Sequence, residues 1–128
     1  MDIRSTMEKD RFCIETVGIE LLEVEPGRAK AKMIVGPQHL NGLGSLQGGA
    51  IFTLADFALA GASNAHGNPA VSINASISYF KSVSEGIVYA EAVEESLHTK
   101  LGTYTVRVTN EEDELLALMQ ATVYRKKV

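Results

Sequence analysis

Residues 47–62 read Gln47-Gly-Gly-Ala-Ile-Phe-Thr-Leu-Ala-Asp-Phe-Ala-Leu-Ala-Gly-Ala62, an apolar stretch that opens on a glycine pair and contains one carboxylate, Asp56. Its spacing predicts a helix from Gly49 to about Asn64, which the segment 67–69 ends. The apolar positions fall on one face, as packing against a sheet requires: Ile51, Leu54, Ala55, Ala58, Leu59 and Ala62.

Alternating apolar residues predict six strands around this helix. Residues 18–35 read as a hairpin that turns at Pro26-Gly27, and four more half-buried strands follow, within 71–79, 86–94, 103–109 and 115–125. Short links between consecutive strands predict an antiparallel meander. The fold class is therefore α+β, with a curved antiparallel sheet of five to six strands wrapped around one long central helix.

Composition narrows the class of protein. With 128 residues the chain fits one domain, residues 1–128, of which 1–11 form an N-terminal arm or a short helix. A net charge of -4 gives no basic field for nucleic acid. The single cysteine, Cys13, excludes an intrachain disulfide, and the first residues lack the apolar core of a signal peptide, so a reducing cytoplasm is expected. No segment is apolar for the roughly 20 residues that a membrane span needs.

The opposite side of the predicted helix is unusual for a surface in water, because its residues are mostly small or apolar: Gly49, Phe52, Asp56, Ala60 and Ser63. We expect a second copy of the chain to cover it. The sequence therefore predicts a homodimer with Asp56 at or near the subunit interface.

The start of the helix and Asp56 together suggest a chemistry. Free N–H groups at a helix N-terminus stabilise negative charge, and the glycines Gly48 and Gly49 let a ligand approach them. A thioester carbonyl resting on the Gly48 N–H would gain an oxyanion donor. Asp56 lies about 12 Å farther along the helix axis, too far to act on the same carbonyl. Two antiparallel helices across a two-fold axis would bring Asp56 of one subunit to Gly48 of the other.

The segment from Asn41 to Asp56, supported by Val71-Ser-Ile-Asn-Ala-Ser-Ile-Ser-Tyr-Phe80, resembles the signature of hotdog-fold acyl-CoA thioesterases of the phenylacetate-degradation (PaaI-like) group. The resemblance implies hydrolysis of an acyl-CoA thioester in a site shared between subunits, with no metal or organic cofactor beyond the coenzyme A of the substrate. It also implies a homodimer, with dimers pairing into a homotetramer.

The resemblance also assigns roles to residues. Asp56 matches the general base or nucleophile, Gly48 the backbone donor to the thioester carbonyl, and Asn41 the residue that positions substrate or water. Ser72 matches a serine that assists at the site. Gln47 departs from the family, which usually has histidine there; glutamine can donate a hydrogen bond but cannot titrate.

The acyl group and the coenzyme A contacts are less defined. Phe52, with Phe57 and Tyr79, can shape an aryl or medium-chain pocket or pack in the core. Gly49 is expected to contact the substrate at the helix start. Lys81 and Lys100 are candidates for the phosphates of coenzyme A and equally for solvated surface charges.

Other readings stay open. Asp56 can be a structural acid that is hydrogen-bonded by Thr53, Ser63 or a neighbouring strand. The glycine-rich segment 42–49 is not followed by the Gly-Lys-Ser/Thr of a nucleotide loop, and the three histidines lack metal-site spacing, which favours surface or capping roles. The rival functions are a non-catalytic acyl-CoA sensor and, ranked last, a dehydratase or hydratase, which needs a histidine in the cleft.

Overall fold

The computed structural model describes residues 2–127. The chain forms three short helical segments, a hairpin, one long helix and four further strands. In chain order these are α1 Ile3–Glu8, a π-helical turn Phe12–Val17, β1 Ile19–Glu25, β2 Arg28–Ile34, a 3-10 turn Pro37–His39, α2 Gly48–Asn64, β3 Ala70–Tyr79, β4 Ile87–Leu97, β5 Leu101–Thr109 and β6 Leu115–Arg125. The six strands form one antiparallel sheet, and α2 contacts every strand of it. The predicted α+β class is confirmed. None of the helices within residues 2–127 is long and apolar enough to cross a membrane.

The N-terminal segment is folded against the rest of the chain. Asp2 caps α1 by accepting a hydrogen bond from the Ser5 N–H at 3.3 Å, and Gly18 ends the π-helical turn with a φ of 82°. Met7 and Cys13 are buried in the main core. Of the two expectations for residues 1–11, the structure shows the short helix over Ile3–Glu8.

The strand order is β1-β2-β4-β5-β6-β3, so the predicted meander is wrong for β3. β3 pairs with β6 and lies at the sheet edge farthest from β1. The reason is α2, which follows β2 and carries the chain across the sheet, while β4 pairs with β2. The consecutive pairs β1–β2, β4–β5 and β5–β6 do form as predicted.

The helix is covered on more sides than its periodicity indicates. All six residues of the predicted sheet-facing side are buried, but Phe57, Gly61 and Ser63 are buried as well. Ser63 was expected on the open side; instead its hydroxyl donates to the Leu59 carbonyl at 2.9 Å. Gly61 lets α2 approach β2 closely, since a Cβ there would lie 3.2 Å from the Ala29 Cβ.

β3 is an exception among the strands that were predicted to be half-buried. Most of its residues are exposed, including apolar ones such as Val71 and Ile73, which is 59% exposed. Because the strand lies at an edge, its outer side has no neighbouring strand within residues 2–127. The molecule thus presents an apolar, unpaired sheet edge.

Candidate active site

Asp56 lies on the partly open side of α2 and lines a cavity of about 270 Å³. The hydroxyls of Thr53 and Ser63 do not pair with it, because they donate to the carbonyls of Gly49 and Leu59. Within residues 2–127 its carboxylate receives no hydrogen bond. The reading of Asp56 as a structural acid satisfied by these neighbours is therefore wrong.

The surroundings of Asp56 favour its protonated form. Burial raises the pKa of the Asp56 carboxyl above its usual range, and the negative charge of Asp10 adds to the effect. Asp10 sits just before the π-helical turn, where its Oδ1 accepts the Cys13 N–H at 2.9 Å. Burial also raises the pKa of the Cys13 thiol, to about 12, so this thiol stays neutral. Periodicity gave no sign that Asp10 and Cys13 would lie near Asp56.

Ser72 lines the same cavity as Asp56. A bulge between Ser72 and Asn74 makes this possible. Ser72 pairs with the buried Val123, whereas Asn74, after the bulge, pairs with the partly exposed Thr122. Facing residues of paired strands share a side of the sheet, so the bulge turns Ser72 toward α2 and leaves the later serines of the strand on the outer side.

The glycine pair forms the start of α2, one residue earlier than predicted. Gln47 precedes it with extended backbone angles, and its side chain makes no capping hydrogen bond. The N–H groups of Gly48 and Gly49 have no acceptor within residues 2–127, so both can bind an anionic oxygen. The role of Gly48 as a donor to the thioester carbonyl stays a prediction.

Gln47 is anchored through its backbone, and its neighbour His39 was not singled out by the sequence. The Gln47 N–H donates to the His39 carbonyl at 2.8 Å. Of the two roles expected for His39, the structure shows the capping one, because its ring is buried and Nδ1 accepts from the Gly36 N–H at 2.9 Å. Nε2 donates to the Val17 carbonyl at 2.7 Å. Both ring nitrogens are therefore occupied by backbone groups.

Gln47 and Gly49 share a largely apolar cavity of about 280 Å³ with the π-helical turn and the segment before α2. It is lined by Phe12, Thr16, Val17, Gln38, His39, Gln47, Gly49, Ala50 and Thr53. The exposed Phe12 ring, which the sequence analysis did not consider, forms one of its walls. Phe57 is core, and Phe52 is half-buried against the core; neither lines this cavity.

Asn41 shapes the loop before α2. Its side-chain oxygen accepts the N–H groups of Leu43 and Ser45 at 2.9 and 3.1 Å, and its own N–H donates to the Ser45 carbonyl at 2.8 Å. This is ordinary asparagine turn chemistry. The side-chain NH₂ has no acceptor within residues 2–127 and is the part of Asn41 left for a ligand.

The two candidate lysines lie in different places. Lys81 lines a cavity with Gly48 and Tyr79, where its ammonium pairs with Glu114 at 2.5 Å. Lys100 lies in a separate small cavity with the basic residues at the chain end. Of these, Arg125 is held by the structure rather than solvated, since its guanidinium donates to the His98 carbonyl at 2.8 Å.

The remaining histidines have local partners. His66 pairs with Glu94 at 2.6 Å and His98 with Ser96 at 3.1 Å. Within residues 2–127 no group of three or more histidine, cysteine, aspartate or glutamate side chains is arranged to hold a metal ion.

Comparison with known proteins gives a consistent result. The model of the thioesterase superfamily matches residues 43–117. The chain is similar to a putative esterase of Archaeoglobus fulgidus, with 42% identity over 96% of this chain and 80% of the relative. It is also similar to the acyl-coenzyme A thioesterase PaaI of Escherichia coli, with 30% identity over 93% of this chain and 86% of that protein.

Solved structures of related proteins have the same fold as this chain. The E. coli PaaI protein from the phenylacetic acid degradation operon superimposes with a TM-score of 0.92 and 29% identity, covering 97% of this chain and 91% of that one. A Thermus thermophilus protein gives a TM-score of 0.87 with 40% identity over 91% and 98% of the two chains. The hotdog arrangement and the resemblance to the PaaI-like group are confirmed.

Proposed function

The chain belongs to the thioesterase superfamily and is a thioester hydrolase, and we propose that it hydrolyses an aryl- or medium-chain acyl-CoA in a site shared between two subunits. The observation behind a shared site is the open edge of β3. This strand runs antiparallel to α2: its first residues line the Asp56 cavity, and its last residue, Tyr79, reaches Gly48.

A second copy that pairs along β3 would complete the site. An antiparallel pairing with a two-fold axis near Ala75, the middle of the strand, sets the Ser72 end of one protomer against the Tyr79 end of its partner. Asp56 of one protomer then faces Gly48 of the other. The same pairing covers the exposed Val71 and Ile73.

In this arrangement the thioester carbonyl oxygen accepts the Gly48 N–H. Asp56 of the other protomer removes a proton from water, and the resulting hydroxide attacks the carbonyl carbon, or Asp56 attacks directly to give an anhydride that water then opens. In both routes the oxyanion collapses, the carbon–sulfur bond breaks, and the coenzyme A thiolate takes up a proton. Ser72, which lines the Asp56 cavity, would orient the water.

The substrate assignment has two supports. The E. coli relative is named an acyl-coenzyme A thioesterase. The cavity of about 280 Å³ beside Gly49 is mostly apolar, which suits a phenyl ring or a medium-length chain. A contact between Phe52 and the acyl group stays a prediction. Asn41, Gln47 and Gly49 would contact the acyl–thioester part.

Of the two candidate lysines, Lys81 lies nearer to Gly48, so it would be the first to contact the phosphates of coenzyme A. Lys100 belongs to the proposal only if the nucleotide reaches the opposite end of the sheet. A dimer of dimers, a cytoplasmic location and independence from added cofactors stay predictions.

Thiol release from a panel of aryl, short-chain and medium-chain acyl-CoAs tests the proposal, with Asp56→Asn as the matched variant because it keeps the shape and removes the charge. We expect turnover of the aryl or medium-chain substrates and a loss of about a hundredfold or more in the folded variant, the usual range for a lost acid–base group. Equal rates in both proteins would contradict the role of Asp56.

Gln47 supports one rival, a non-catalytic acyl-CoA sensor, because the titratable family histidine is absent. The sensor predicts tight acyl-CoA binding by calorimetry with no thiol released by either protein. A dehydratase is disfavoured, since both nitrogens of the nearby His39 are engaged by backbone groups.

A further inference from the structure

Tyr79 makes the closest side-chain contact to the proposed oxyanion donor. Its hydroxyl donates to the Gly48 carbonyl at 3.2 Å. Its ring lies over the same residue, since a Cβ on Gly48 would be 3.4 Å from the ring Cζ. Tyr79 belongs to β3 and Gly48 to α2, so this pair ties the edge strand to the start of the helix.

The hydrogen bond from the Tyr79 hydroxyl affects the whole Gly48–Gly49 peptide group and not only the Gly48 carbonyl oxygen. The Gly48 carbonyl and the Gly49 N–H belong to the same peptide unit, and a hydrogen bond to the carbonyl oxygen polarises that unit and makes its N–H a stronger donor. The Gly49 N–H has no acceptor within residues 2–127. Adjacent N–H groups in the first turn of a helix point the same way, so Gly48 and Gly49 can bind one oxygen together.

The ring has a second effect. Tyr79 is 50% exposed and lines a cavity of about 320 Å³ with Gly48, Ile51 and Lys81. Because a Cβ on Gly48 would lie 3.4 Å from the ring, the ring also fixes how closely the end of β3 approaches the start of α2.

We propose that Tyr79 is a positioning residue that orients and strengthens a two-donor oxyanion site formed by the N–H groups of Gly48 and Gly49. The inference rests on the proposed thioesterase function. To that function the inference adds the Gly49 N–H as a second donor to the oxyanion, and Tyr79 as the residue that acts through the Gly48–Gly49 peptide group.

Tyr79→Phe tests the inference, because it keeps the ring and removes the hydroxyl. Losing one hydrogen bond that matters mainly in the transition state should lower kcat about three- to tenfold with KM little changed. Tyr89→Phe is the matched control, since Tyr89 lies on β4 and its ring faces the Lys30 ammonium away from Gly48. Both variants should keep the native mass in solution.

A spectroscopic readout separates positioning from a structural role and does not need turnover. In the Asp56→Asn background, the infrared band of a ¹³C-labelled thioester carbonyl in bound benzoyl-CoA should lie below its frequency in water, because donors polarise the bond. Adding Tyr79→Phe should move the band back toward the free value, and adding Tyr89→Phe should not.

The outcomes distinguish the two proposals. If the native protein turns over acyl-CoA and Asp56→Asn abolishes this, but Tyr79→Phe changes neither kcat nor the band, only the role of Tyr79 is overturned. If the native protein releases no thiol from any substrate, the proposed function fails. If, in addition, Tyr79→Phe does not move the carbonyl band of bound benzoyl-CoA, the two-donor site is overturned as well.

Discussion

The pKa of Asp56 connects its environment to the reaction. Burial and the Asp10 charge raise this pKa, and Asp56 must be ionised to act as base or nucleophile. We therefore expect kcat to fall on acidification at a pH where an exposed aspartate is still ionised. Asp10→Asn keeps an oxygen for the Cys13 N–H and removes the charge, so the acidic limb of the pH–rate profile should move to lower pH. An unmoved limb would show that Asp10 does not act on Asp56.

The same raised pKa lowers the stability of the fold at neutral pH. Native Asp56 keeps its proton to higher pH than in the unfolded chain, so between the two pKa values the native state binds more protons and stability falls as the pH rises. Asp56→Asn should raise the free energy of unfolding near pH 7, with the difference vanishing below the usual pKa of aspartate. Urea titrations at several pH values measure this.

The start of α2 allows the proposed oxyanion donor, the Gly48 N–H, to be removed without disturbing the backbone. Gly48 is the first helical residue, where proline is favoured, and Gln47 before it has the extended angles (φ -62°, ψ 133°) that proline requires. Gly48→Pro deletes the N–H and should lower kcat about a hundred- to thousandfold in a folded protein.

Gly48→Ala is the control for added bulk, because it keeps the N–H and its Cβ would make an ordinary 3.4 Å contact with Tyr79. We expect its kcat to stay well above that of Gly48→Pro. Equal losses in the two variants would mean that bulk, not the missing N–H, is responsible. Circular dichroism and the thermal midpoint check that both variants fold.

The elements also show how far the sequence predicts the structure. The period of α2 and the alternation of five strands follow from side-chain burial within one chain, so they were predictable. β3 was different, because most of its residues are exposed at a sheet edge, and nothing in its local sequence marks the bulge that turns Ser72 toward Asp56. Asp10 and Tyr79 depend on contacts between distant segments, which periodicity does not reveal.

At the scale of the whole molecule, the open β3 edge predicts the assembly. Ile73→Lys places a charge on this edge, where pairing with a second copy would bury it, and it should reduce the dimer and the activity together. Ile34→Lys is the matched control, since Ile34 is also exposed (64%) but ends β2. Light scattering and thiol release measure the two effects. An active Ile73→Lys dimer would contradict pairing along β3.

Whether the two halves of the site come from different protomers can be tested by mixing. Homodimers of Asp56→Asn lack the acid in both sites, and homodimers of Gly48→Pro lack the donor in both. If the site is shared, a mixed dimer has one site with both changes and one fully native site.

Random exchange in an equal mixture makes about half of the dimers mixed, each with one working site of two, so about a quarter of native activity should return. If each site is built within one protomer, both sites of the mixed dimer remain defective and mixing restores nothing. Exchange can be followed with two different affinity tags, and isolating the doubly tagged dimer should give about half of the native activity, because one of its two sites is intact.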